Sequence, residues 1–109
     1  MRKLAGVLVV AALLAVPAVS ALAASPTQKA SVANFKFKPK QLSIKKGTKV
    51  TWTFNGAGIK HNVTVSSGPV KFHSANKSSG TYSFTFRKKG TYHLMCTIHP
   101  FMTETVTVR

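Results

Sequence analysis

From Ser31 onward apolar residues recur at every second position, and no stretch carries the three-to-four-residue stripe of an amphipathic helix, so the pattern predicts strands. Ala33, Phe35 and Phe37 share one face of a first predicted strand, which Pro39 ends. Leu42 and Ile44 mark a second. Lys46-Gly47-Thr48 turns the chain into a third, where Val50, Trp52 and Phe54 point one way and Thr51 and Thr53 the other. Asn55-Gly56-Ala57-Gly58 is a turn-rich loop that delivers the chain to His61, the head of the alternating run His61-Asn62-Val63-Thr64-Val65. Residues 66–80 are polar apart from Val70 and Phe72 and predict a long surface connection. Tyr82, Phe84 and Phe86 form the next strand, Arg87-Lys88-Lys89-Gly90 a basic turn, and Tyr92, Leu94 and Cys96 keep one phase beyond it. Val106 and Val108 mark the closing strand. There is no internal repeat. Short alternating strands separated by frequent turns predict an all-β, Greek-key β-sandwich.

Ahead of this pattern the chain changes character. Arg2 and Lys3 precede an apolar run from Leu4 to Val16, and Ala21-Leu22-Ala23 supplies small residues, so residues 1–23 read as a secretory signal peptide cleaved before Ala24. The competing reading is a retained anchor; Pro17 interrupts the run, which is short for a span. The expected organisation is a signal peptide over 1–23, a flexible leader over 24–30 and one domain over 31–109. Such a chain is exported to the periplasm, the extracellular space or the cell envelope. Its lone cysteine cannot make an internal disulfide and is there a free thiol or a ligand.

Charge narrows the partners. The 16 basic residues become 14 when Arg2 and Lys3 leave with the signal segment, while Glu104 is the only acid, so the mature chain is near +13. A balance this basic fits an acidic protein partner or an anionic membrane surface. Another account is adaptation to an acidic medium, where few carboxylates means little to protonate. Nucleic acid is a poor partner for an exported chain without interleaved aromatic platforms.

The candidate chemistry lies in Cys96-Thr97-Ile98-His99-Pro100-Phe101-Met102, a C-x2-H-x2-M spacing. A thiolate, an imidazole and a thioether suit copper, and two histidines with a cysteine and a weak axial methionine make up the blue-copper electron-transfer set. His61 is the natural second histidine. Zinc also takes cysteine and histidine, but its structural sites prefer four strong donors and its catalytic sites an open water position. Cys96 and His99 as nucleophile and base lack an acid other than Glu104 to orient the histidine, so the chain does not read as an enzyme. His93, three residues before Cys96, points to the opposite sheet face, and His73 lies in the polar connection; both read as surface residues.

These residues carry a resemblance. Phe37-Lys38-Pro39, Ile44 to Trp52, His61-Asn62-Val63, Phe84 to Tyr92 and Cys96 to Met102 together resemble the small blue-copper proteins, the cupredoxins of plastocyanin and amicyanin type. The two residues between His99 and Met102 resemble amicyanin more than plastocyanin. The resemblance implies an eight-strand sandwich in which His61, Cys96, His99 and Met102 hold one copper ion per chain, and a one-electron carrier between redox partners. Asn62 is then expected to hydrogen-bond to the cysteine loop or to its sulfur. An envelope copper carrier or reservoir without redox turnover is the alternative. The chain is expected to be a monomer. It departs from the family's pattern at Leu94, where an aromatic is usual, at Phe54, where a polar residue is common, and at Glu104, where a glycine is usual.

Overall fold

Strict alternation with one buried face fixes the strand phase wherever it is long enough. In β4 (Thr48–Asn55) the side chains of Thr48, Val50, Trp52 and Phe54 are buried and their neighbours point out. β7 (Gly90–Met95) buries Tyr92 and Leu94, and Cys96 follows in the same phase. The computed structural model describes residues 25–109, so the signal segment expected over 1–23 lies outside the described residues. Eight strands run through them: β1 (Thr27–Ala33), β2 (Lys36–Lys38), β3 (Gln41–Ile44), β4, β5 (Thr64–Ser67), β6 (Ser79–Phe86), β7 and β8 (Thr103–Val108).

They form two four-stranded sheets, ordered β2-β1-β4-β6 and β3-β8-β7-β5, giving the expected all-β sandwich. Parallel pairing joins β1 to β4 and β3 to β8, whereas β1–β2, β4–β6, β5–β7 and β7–β8 are antiparallel. Trp52 is the centre of the core. Its indole lies 6.0 Å from the Tyr82 ring and 6.3 Å from that of Phe86, centroid to centroid. Its Nε1 donates to Glu104 Oε1 at 2.8 Å, tying β4 in one sheet to β8 in the other.

Three sequence expectations change. The single strand over Ala33, Phe35 and Phe37 is a hairpin: Ala33 pairs with Lys36, and Asn34 and Phe35 form a two-residue turn, both with positive φ, 53° and 57°. Turns of this kind match the twist of the strands but favour Asn and Gly, so a phenylalanine in one hides it from sequence. The turn also resets the phase, so that Ala30 and Val32 point inward on β1 and Phe37 on β2. Second, the leader expected over 24–30 is strand from Thr27, because Thr27, Gln28 and Lys29 pair with Lys49, Val50 and Thr51 of β4. Polar side chains sit easily on a sheet edge facing water, so their polarity said nothing against a strand. Third, the connection over 66–80 is not simply surface. Ser66 and Ser67 end β5, Ser79 and Gly80 begin β6, and Phe72 stacks on Phe84 with ring centroids 3.8 Å apart against the core.

Candidate metal centre

His61, Cys96 and His99 meet at one end of the sandwich, with their donor atoms all within 4.8 Å of one another. The two Nδ1 atoms are 3.2 Å apart, and Cys96 Sγ lies 3.7 Å from His99 Nδ1. His61 and Cys96 are buried; His99 is half-buried. Two imidazole nitrogens and a sulfur converging on one point, with no carboxylate among them, suit a metal that accepts both nitrogen and thiolate. Burial, and then the His99 ring beside it, push the His61 pKa below the ordinary histidine value. A neutral imidazole with a free lone pair is the form that binds a metal.

His61 reaches this point from the body of the sandwich. Its backbone N–H donates to Lys77 O at 2.9 Å and its carbonyl accepts from Lys77 N at 2.8 Å, so the returning connection grips it from both sides. Gly56 makes the approach to it tight: a Cβ there would collide with the Ile59 carbonyl. Ile59 N donates to Gly56 O at 2.9 Å and closes the intervening turn.

Cys96 and His99 arrive on the loop between β7 and β8. That loop closes on itself, with Cys96 N donating to Met102 O at 3.1 Å and Met102 N to His99 O at 2.8 Å. Met102 is buried at its end. Asn62 joins loop to body: its Nδ2 donates to Thr97 Oγ1 at 2.8 Å and its Oδ1 accepts from Thr97 N at 3.1 Å. The same amide donates to Asn76 Oδ1 and accepts from Thr64 Oγ1, each at 2.8 Å.

Three contributors escaped the sequence reading. Asn76 and Lys77 lie in the connection taken for surface, with no local pattern to mark them. Phe35 sits edge-on to both histidines, its ring centroid 5.5 Å from that of His61 and 4.9 Å from that of His99. In the sequence Phe35 keeps the alternation of Ala33 and Phe37, which hides the turn. His73 and His93 are exposed and stand outside the cluster, as expected.

A family model for copper binding proteins of the plastocyanin/azurin family matches residues 24–109. The chain belongs to that family. Among relatives of this copper-binding family, it is 38% identical to amicyanin-alpha of Methylorubrum extorquens over 99% of each chain. It is 36% identical to the amicyanin of Paracoccus denitrificans over 71% of this chain and 61% of that one. The structure of a reduced amicyanin variant superposes with a TM-score of 0.69 at 32% identity, covering 83% of this chain and 89% of the other. A purple cupredoxin from Nitrosopumilus maritimus shares the fold, with a TM-score of 0.68 at 24% identity over 75% of this chain and 99% of that one. In this cupredoxin the departure at Glu104 has a structural account: the carboxyl is buried, its Oε1 takes the Trp52 hydrogen bond, and burial pushes its pKa up to about 7 against the partial relief of that bond.

Proposed function

We propose that this cupredoxin carries single electrons between redox partner proteins, with one copper ion held by His61, Cys96 and His99 and, more weakly, by Met102. The observation that carries the reading is the convergence of two imidazole nitrogens and one thiol sulfur within 4.8 Å in a centre braced from two directions. Copper in such a set gains and loses one electron between its +1 and +2 states. The residues of the chain do the rest. Lys77 fixes the His61 backbone, the Asn62 amide fixes the loop to the body, and the loop's own backbone bonds fix His99 and Met102 relative to Cys96. Donors that cannot move far keep the rearrangement between oxidation states small.

His61, Cys96 and Met102 are buried, and His99 alone brings an imidazole towards the surface. That arrangement suits passage of an electron through a ring edge better than entry of a substrate, so the reading is a carrier and not an enzyme. Phe101, 71% exposed, and the exposed Ile98 flank His99 with apolar surface. The carrier works as an exported monomer of the periplasm or cell envelope, residues 1–23 serving as its signal peptide, and its partner is acidic.

The experiment is addition of Cu(II) to the purified protein. An intense blue colour that bleaches with a mild reductant and returns with an oxidant supports the carrier. A colourless complex, or one that binds zinc and copper alike with no reversible bleaching, favours a copper reservoir.

A further inference from the structure

A groove of about 370 Å³ opens on the side of the sandwich next to the metal centre, along β2, the edge strand of its sheet. Its apolar lining is Phe35, Phe37, Phe101 and Met102. Phe35 is 40% exposed, and the Phe35 and Phe101 rings lie 6.2 Å apart. Lys36, Lys38 and Lys40 also line it. Lys40 Nζ donates to Thr103 Oγ1 at 3.0 Å, which holds that ammonium at the groove wall. No carboxylate side chain competes for these lysines, because the only acid in the sequence, Glu104, is 1% exposed and bonded to Trp52.

We infer that this groove is the docking site for an acidic segment of the redox partner, with carboxylates on Lys36, Lys38 and Lys40 and one aromatic or large aliphatic side chain against Phe35 and Phe101. The inference rests on the electron-carrier reading and adds the place and chemistry of its encounter. Two features select this occupant. Unpaired ammonium groups around an apolar floor complement an acidic, partly apolar segment. The floor includes Phe35, which touches both histidines, so a partner seated there lies beside the metal centre. The basic turn Arg87-Lys88-Lys89 lies at the other end of the sandwich, where β7 begins, and shares the charge without the floor. Lysines on a short edge strand also guard it against pairing with other chains. That role asks for charge alone and gives no part to the aromatic floor.

The test uses the copper(I)-loaded protein labelled with nitrogen-15, titrated with an acetylated, amidated Glu-Glu-Phe-Glu-Glu peptide and with its glutamine counterpart. Amide shifts are expected at residues 35–40 and 101–103 with the acidic peptide and not with the neutral one. Joint replacement Lys36→Gln, Lys38→Gln and Lys40→Gln is expected to weaken binding about tenfold or more, since three charge pairs are lost. Joint replacement Arg87→Gln, Lys88→Gln and Lys89→Gln removes the same charge and is expected to change it less than about twofold. Phe35→Asn keeps a residue that accepts the left-handed turn while removing the ring, and is expected to weaken binding severalfold. Equal losses for both triple variants, or shifts spread over all lysines, would mean attraction by net charge alone and overturn the groove. Binding to phosphatidylglycerol vesicles without binding to the peptide would overturn it in favour of a lipid surface. A lysine-to-glutamine triple variant that aggregates yet still binds the peptide would assign the lysines to edge protection. Reversible bleaching of the copper colour, measured on the same samples, tests the carrier reading separately.

Discussion

His61 and His99 face each other across 3.2 Å, yet they reach that point by opposite means. His61 is buried, and its backbone is bonded on both sides to Lys77, so it moves only if the connection beside β5 moves. His99 is half-buried on a short loop whose brace is mostly internal, from Cys96 to Met102 and from Met102 to His99. One donor belongs to the scaffold and the others to a small closed unit mounted on it. The mounting has two points. Asn62 and Thr97 fasten the start of the loop, and Glu104, two residues past Met102, fastens the strand leaving it to Trp52. A centre built this way can keep its geometry only while both mountings hold, and each can be cut separately.

The largest effect is expected from the loop's sulfur. Cys96→Ser should abolish the intense visible band of the copper protein while circular dichroism still reports the β-sandwich, because a serine fits the same buried, in-phase position. An absorption band that survives the change would remove Cys96 from the donor set.

Next comes the Glu104 mounting, which should make stability depend on pH. Its folded pKa, about 7, lies above the 4.5 of the free group, so between those values the folded chain holds a proton that the unfolded chain has lost. Stability from this group is full below pH 4.5, falls as pH rises to about 7 and is flat above; the total is on the order of 3 kcal/mol. His61 works the other way in the metal-free protein. Its lowered pKa means that stability falls as pH drops below 6.5. The comparison is therefore between the wild type and Glu104→Gln, whose amide oxygen still accepts from Trp52. Denaturant midpoints whose difference stays constant from pH 4 to 8 would show that the Glu104 carboxyl titrates alike in both states.

Cutting the other mounting should have a somewhat smaller effect. Asn62→Ala removes four side-chain hydrogen bonds, to Asn76, to Thr64 and twice to Thr97, and leaves part-buried groups unpaired. A loss of about 2 to 3 kcal/mol is expected, together with a broadened copper band, because His99 then moves relative to His61. The smallest effect is expected at Asn76→Ala, under about 1 kcal/mol, since it removes one of those bonds at an exposed residue and leaves the Thr97 pair intact. If Asn76→Ala matched Asn62→Ala, the support would run through the connection and not from body to loop.

The loop was legible in the sequence because Cys96, His99 and Met102 sit within seven residues at a spacing that few other sites use. His61 was legible as a partner only because the chemistry called for a second histidine. The phases of β4 and β7 could be read because each has one buried face and enough length for alternation to show. What stayed hidden depends on distant contacts. Glu104 lies in phase with the inward Val106 and Val108, but nothing local says what a buried carboxyl would meet there until Trp52, on the other sheet, supplies its partner. Phe72 looks like a stray apolar residue until the connection folds back and lays it on Phe84. Phe35 reads as part of an alternating strand because nothing local announces that a phenylalanine occupies a left-handed turn.

The pairing of β3 with β8 carries a consequence for the order of events in the life of the chain. Gln41 to Ile44 find their partners at Thr105 to Val108, at the carboxyl end of the sequence. Synthesis therefore delivers His61 well before β8, and the second sheet and the loop that β8 anchors cannot be completed until β8 has emerged. Non-local pairing of this kind makes for slow folding. A chain threaded unfolded across a membrane would complete its metal centre only on the far side, and so would draw its copper from the compartment in which it ends.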